Sequence, residues 1–301
     1  MRLLRDIALV AGFDLLESLR SWRALLLLLL FLAGSVFATL IFVEVLNEIE
    51  QVAANALRVP ATRRPGALTD SLRQSDELIH ALTNLVGEEE LVRQILGMPV
   101  LAIFYGWVAL TFTPALSTFV AGGSVASERA SGSARFALGR TGRTAWAVGK
   151  LCGQALVLLV GLQIAALGVW VVGMIRTTGM PPVETALWLA RMGLRGWVYG
   201  LPWLGLALGL SQLTRSVYVA WGLCIGGLIL GGALRGALNL PMVVDLAPPL
   251  VEAARTLLPG SHELDLWRPA FVDRAPAMGL LVAMGVVGFT LGHLRFLRAD
   301  A

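Results

Sequence analysis

Residues 127–150 read SERASGSARFALGRTGRTAWAVGK. They form the one long polar interruption of the chain that is strongly basic, carrying Arg129, Arg135, Arg140, Arg143 and Lys150 against a single acid, Glu128. Apolar runs of bilayer-spanning length lie on both sides. The side of the membrane on which this loop falls decides how the rest is threaded.

Composition requires a membrane. The chain has 301 residues, 56% hydrophobic and 15% charged, with mean hydropathy +0.74. Soluble domains carry about 25% charged residues, and a chain this long still needs polar cover on its surface. Lipid supplies that cover instead. The net charge of +4 comes from arginines at the ends of apolar runs, where they set orientation and meet anionic headgroups. No basic groove with interleaved aromatics is present, so nucleic acid is not expected as a partner.

Taken in order, residues 1–23 space Leu4, Ile7, Ala8, Ala11, Leu15, Leu19 and Trp22 on one helical face, with Arg2, Arg5, Asp6, Asp14, Glu17 and Arg20 on the other. This pattern predicts an interfacial amphipathic helix. Span one is 24–43, where the six leucines Leu25 to Leu30 alone favour insertion by roughly 2–4 kcal/mol. Residues 44–99 are an extracytoplasmic helical insertion. In it, Arg63 to Gly66 make a turn, Leu68, Leu72, Ile79, Leu82 and Val86 mark a helix, and Gly87 ends that helix. Glu88 to Glu90 then read as the capped start of another helix with a solvated face.

Span two is 100–121. Pro114 kinks it, and the hydroxyls of Thr111 and Thr113 are placed to answer the freed carbonyls, a candidate gating point. The basic loop occupies 122–150, and span three 151–172. After a loop turned by Pro181 and Pro182, spans four (192–213) and five (217–234) carry glycines four apart: Gly205 and Gly209, Gly222 and Gly226, Gly227 and Gly231. Small residues at that spacing let helices approach closely. Residues 235–277 alternate prolines with apolar pieces too short to cross, which reads as an outer, partly re-entrant segment. Span six is 278–294. The fold class is all-α integral membrane protein, one membrane domain with six transmembrane helices.

Six spans put both termini on the side of the basic loop. That side holds 12 basic and 5 acidic residues, against 11 and 15 in roughly twice the loop length on the other. Positive charge is retained in the cytoplasm. The basic loop and both termini are therefore expected inside, and the acidic insertion outside.

Catalytic patterns fail. A phosphate-binding loop ending at Lys150 needs glycine where Thr144 stands, and serine or threonine where Leu151 stands. His80, His262 and His293 are scattered, and Cys152 and Cys224 lie singly in apolar runs. His262, Glu263 and Asp265 lie together in the outer segment as a minor alternative metal site, outweighed by a structural reading. No catalytic, cofactor or metal residue is assigned.

The amphipathic lead-in, the six spans, the large outer loop after span one and the broken segment before span six resemble the permease subunits of type-2 ATP-binding-cassette (ABC) exporters. The likeness is sharpest in the basic loop. In that family the loop begins with Glu-Arg, has a nearby glycine, and ends in arginine followed by Gly-Lys. Here these are Glu128, Arg129, Gly132, Arg143, Gly149 and Lys150, although the family's proline before the later arginine is replaced by the stretch Gly139 to Gly142. The resemblance implies that these residues couple the chain to two separate ATPase subunits. Those subunits would hold ATP and Mg, and a second permease chain, most simply an identical one, would complete the transporter in the cytoplasmic (inner) membrane. The enlarged outer insertion fits a periplasmic or extracellular accessory protein. A membrane anchor for a partner complex, without transport, would show the same topology. Substrate and direction are not legible in the residues.

Overall fold

The computed structural model describes residues 2–57, 76–240, 242–243 and 248–298, and among them it contains helices and no strand. In chain order they are α1 (Arg2–Arg20), α2 (Trp22–Leu57), α3 (Asp76–Val86), α4 (Glu89–Leu96), α5 (Val100–Ala121), α6 (Ser124–Ser131), α7 (Ser133–Leu138), α8 (Arg143–Arg176), α9 (Pro182–Leu213), α10 (Val217–Ala237), α11 (Pro248–Thr256) and α12 (Phe271–Arg298). Two 3-10 turns, Pro259–His262 and Leu264–Trp267, precede α12. The expected turn Arg63 to Gly66, with Leu68 and Leu72, lies outside the described residues, as do Pro241 and the stretch 244–247.

Local chemistry explains the boundaries. Gly87 at φ 84° separates α3 from α4, and Gly132 at φ 78° separates α6 from α7. Both lie in the left-handed region that side chains with a Cβ avoid. Ser216 caps α10 by accepting from the Val219 amide. The three glutamates behave differently from one another. Glu88 makes no cap bond; it reaches the Arg268 guanidinium with both oxygens, at 3.1 and 2.8 Å. Only Glu89 and Glu90 serve their own helix, bonding Arg93 and Gln94 one turn on.

Five described stretches are long and apolar enough to cross a membrane: Ala24–Val52, Val100–Ser131, Arg143–Arg176, Val217–Ala237 and Phe271–Arg298. The expected fourth span, α9, is not among them, although its 32 residues reach about 48 Å. The reason is its position. It packs against α5, α8 and α12 and also touches α10, and its inward faces carry Gly193, Gly196, Gly200, Gly205 and Gly209 with Arg195, Tyr199 and Gln212. A helix covered by protein needs fewer lipid-compatible side chains.

Close contacts fix the helix directions. Along α8, Gly149, Gly153, Gly161 and Gly168 meet in turn Val10, Asp14, Leu28 and Leu32, so α1 and α2 run parallel to α8. Gly106 of α5 lies beside Met192, and Thr113 beside Gly200, so α5 and α9 run together. Gly205 and Gly209 meet the backbone of Gly285 and Gly288, so α12 joins them. Against α9, α8 runs the opposite way, with Trp197 donating to the Ala155 carbonyl and Gly193 touching Gln163. The same holds for α10, where Gly231 meets Trp203 and Gly227 meets Leu206. Taken in chain order, α2, α5, α8, α9, α10 and α12 therefore alternate in direction.

The glycine pairs divide in function. Gly205 and Gly209 form the seam with α12, where a Cβ on Gly205 would stand 2.0 Å from the Gly285 carbonyl oxygen. Gly222 and Gly226 face open space. Pro114 sits within α5, which runs unbroken, but the expected hydroxyl repair is not seen. Thr111 is exposed. The Thr113 hydroxyl has no partner, because it turns toward Gly196 of α9, with its methyl against Gly200. Thr118 instead donates to the Pro114 carbonyl at 2.8 Å.

Candidate functional site

Lys150 lies about two turns into α8, at the end of the bundle where α1, α6 and α7 gather. Its ammonium donates to Asp14 Oδ1 at 2.6 Å and pairs with the Glu128 carboxylate. One turn on, Gln154 donates to Asp14 Oδ2 at 2.6 Å and to Ser18 Oγ at 3.2 Å. Lys150, Asp14 and Gln154 are all buried. Both Asp14 oxygens are satisfied, which buried charges require. One cation thus ties together three elements: α1 through Asp14, α6 through Glu128, and α8 through its own backbone.

The approach depends on missing side chains. A Cβ on Gly149 would fall 2.6 Å from Val10 Cβ, and one on Gly153 would fall 2.6 Å from Asp14 Oδ2. The Gly149-Lys150 pair is therefore a notch followed by a bond. The inward face of α1 consists of Val10, Ala11 and Asp14, while Leu9, Phe13 and Leu16 point outward. Asp14, read in sequence as part of the polar face of an interfacial helix, is inside because Lys150 is there to meet it. Around this cluster opens a cavity of about 230 Å³, with Glu17, Ser18 and Ser127 on its polar wall and Leu27, Phe119 and Trp221 on its apolar one.

The back of α6 is fastened to α9. Arg129 donates to the Gln212 carbonyl at 2.6 Å and lies 5.4 Å over the Phe296 ring, while the Ala126 amide donates to Ser211 Oγ at 3.0 Å. A cation on the last carbonyls of a helix is favourably placed against its dipole. His293 Nδ1 lies 3.2 Å from Gln212 Oε1. Arg143, at the start of α8, donates to the Leu297 carbonyl of α12 at 2.7 Å. Glu128, Arg129, Arg143, Gly149 and Lys150 are thus brought together as internal fastenings, with Gly132 as the turn between α6 and α7.

The outward surface belongs to other residues. Phe136 of α7 is 83% exposed, and Arg135 and Arg140 beside it are exposed as well. A basic cavity of about 240 Å³ opens between Arg129, Arg135, Arg215 and Phe296. Sequence reasoning passed over Asp14, Gln154, Ser211, Gln212 and Phe136. Two signals were readable: Gln154 shares a face with Lys150 at the i, i+4 spacing, and Phe136 is an aromatic stranded among arginines.

At the opposite end of the bundle, the Leu264–Trp267 turn carries the buried Leu266 and Trp267, and the Trp267 ring packs on Gly106. Arg268 joins this turn to α4 through Glu88, which holds the guanidinium above its ordinary range. His262 lies 3.7 Å from Asp265, and Arg235 bonds Glu263. Among the described residues no group of histidine, cysteine and carboxylate side chains is placed to hold a metal.

Long apolar helices, alternating in direction around a buried glycine-rich helix and braced at a basic end, define a polytopic membrane protein. The family model for the ABC-2 family transporter protein matches residues 8–301, and the chain belongs to that family. It is a permease component of an ABC transporter, a kind of membrane subunit that is generally non-catalytic and usually works with ABC ATPase partners. No curated protein matches the chain.

Proposed function

We propose that the chain is the membrane-spanning half of an ATP-driven exporter, and that α6 and α7 receive the movement of a separate ATPase subunit which holds ATP and Mg. The observation that carries this reading is the two-sided construction of α6–α7: Phe136, Arg135 and Arg140 face outward, while Glu128 and Arg129 bind α8 and α9 behind them. A surface that only secured topology would need arginines but no exposed aromatic. Force applied at Phe136 reaches α8 through Glu128 and Lys150, and α9 through Arg129.

The alternating helix directions support six crossings by α2, α5, α8, α9, α10 and α12, with both termini and the basic end in the cytoplasm. On that threading, the outer face of α1, with Leu9, Phe13 and Leu16, meets the inner headgroups, and the Trp267 turn is a re-entrant element of the outer side. The two most weakly covered helices, α2 and α10, are the surfaces available for a second permease chain; buried residues make up 17% and 11% of their apolar windows. The insertion α3–α4 is the surface for an accessory protein outside.

The test is copurification with an ABC ATPase subunit from the same cell. Phe136→Asp, at an exposed side chain, is expected to abolish complex formation while leaving the permease folded, and a neutral linker replacing 127–143 is expected to abolish it as well. An ATPase that still binds both variants overturns the reading. A complex that forms but shows no change in ATP turnover between wild type and Glu128→Gln points to an anchor without coupling.

A further inference from the structure

Arg195 is the buried charge that the coupling end does not explain. It sits in α9 at 4% exposure, and its Nε has no hydrogen-bond partner. Its Nη1 has only a long contact of 3.5 Å to the Trp267 carbonyl and one of 3.6 Å to Met192 Sδ. No carboxylate among the described residues pairs with it. The charges that reach it, Arg274 and Arg191, are both positive. Trp188 lies between two of them, its ring 5.2 Å from the Arg191 guanidinium carbon and 5.8 Å from that of Arg195. Arg274 comes from α12 and spends one nitrogen on the Arg268 and Pro269 carbonyls, at 3.1 and 2.6 Å.

Like charges gathered without a counterion are unfavourable in a bundle interior, and carbonyl dipoles do not neutralise them. Ionisable groups inside membrane proteins pair with one another or with backbone carbonyls, and they mark the paths of ligands and ions. Guanidinium groups present planar forks that match phosphate oxygens. An exposed arginine, a half-buried one and a fully buried one in succession make a graded entry, with the Trp188 ring as an apolar wall. We propose that Arg191, Arg274 and Arg195 form a binding site for the phosphate of an anionic amphiphile, at the end of the bundle that carries the Trp267 turn. Arg195 is the innermost contact, and its buried, unpartnered Nε is the donor that a phosphate oxygen would complete as the surrounding side chains part. The site stands apart from α6–α7 and does not depend on ATPase docking.

The experiment uses the full chain, purified in detergent and delipidated, and reads its thermal midpoint during titration with dioleoyl phosphatidylglycerol, dioleoyl phosphatidylcholine or inorganic phosphate. Phosphatidylglycerol is expected to raise the wild-type midpoint. Arg195→Gln and Arg274→Gln are each expected to weaken that response about tenfold in apparent affinity, the loss of a charge-assisted bond. Arg176→Gln, a basic residue outside the cluster, is expected to leave it unchanged. An Arg195-dependent response to inorganic phosphate assigns the site to a free anion; a response to phosphatidylglycerol alone assigns it to a lipid or lipid-like ligand. Equal responses in wild type, Arg195→Gln and Arg274→Gln overturn the proposal, as does a response to phosphatidylcholine equal to that for phosphatidylglycerol. Should Arg195→Gln fail to fold, Arg195→Lys, which keeps the charge and loses the fork, and the exposed Arg191→Gln carry the same comparison.

Discussion

Lys150 of α8 donates to Asp14 of α1 across 2.6 Å of space and 136 residues of chain. The same ammonium pairs with Glu128, so two carboxylates depend on one cation. Replacing it with Lys150→Met leaves Asp14 without its cation in a buried place and Glu128 in a half-buried one. The expected loss is about 3 kcal/mol or more, read as a lower thermal midpoint in detergent. Adding Asp14→Asn to that variant should restore part of it. No recovery in the double variant would mean that the pair is not the source of the loss.

The notches of α8 should be more sensitive than their exposed counterparts on α10. Gly149→Val drives a side chain into Val10 and should lift α1, making the Arg20–Arg23 region more susceptible to trypsin. Gly222→Val, with nothing within 4 Å of its Cβ, should leave the digestion pattern unchanged.

At the α9–α12 seam even one methyl is too much. A Cβ on Gly205 meets backbone, which cannot swing aside as a side chain can. Gly205→Ala should cost on the order of 3 kcal/mol and sharply reduce the folded fraction on size-exclusion chromatography. Gly227→Ala, whose nearest neighbour is Leu206 at 3.7 Å, should be neutral.

Glu88 and Arg268 join the insertion to the turn before α12, both with substantial exposure. Glu88→Gln should cost about 1 kcal/mol or less and raise hydrogen exchange in α3 and α4 without altering α8 or α9. Added salt should mimic it in wild type, because exposed pairs are screened. Unchanged exchange in the variant would show that α3–α4 is held by its apolar contacts alone.

What local pattern could reveal was decided by range. Six leucines in a row announce α2, and Gly87 announces a break, because both effects act within a few residues. α9 announces itself poorly, since its glycines, Tyr199 and Gln212 make sense only once α5, α8 and α12 surround it. Within the candidate site, the resemblance picked out Glu128, Arg129 and Lys150, yet beyond the Glu128–Lys150 pair itself their partners, Asp14 and Gln212, lie on α1 and α9. Asp14 looked like one more polar residue on an amphipathic helix. Pairings across such separations leave no trace in spacing or periodicity, and the inward turn of Thr113 depends on the absence of side chains on another helix.

Helix α8 runs unbroken for 34 residues, about 51 Å, with Lys150 near one end and Gly173 near the other. Gly173 rests against Leu101, at the start of α5 and two residues beyond Pro99, where the insertion joins the bundle. Such a rod is a lever. A tilt of 5° about its base displaces the far end by about 4 Å on this length, roughly three-quarters of a helical turn. A small shift in the clasp around Lys150 would therefore emerge, enlarged, at the hinge of the insertion.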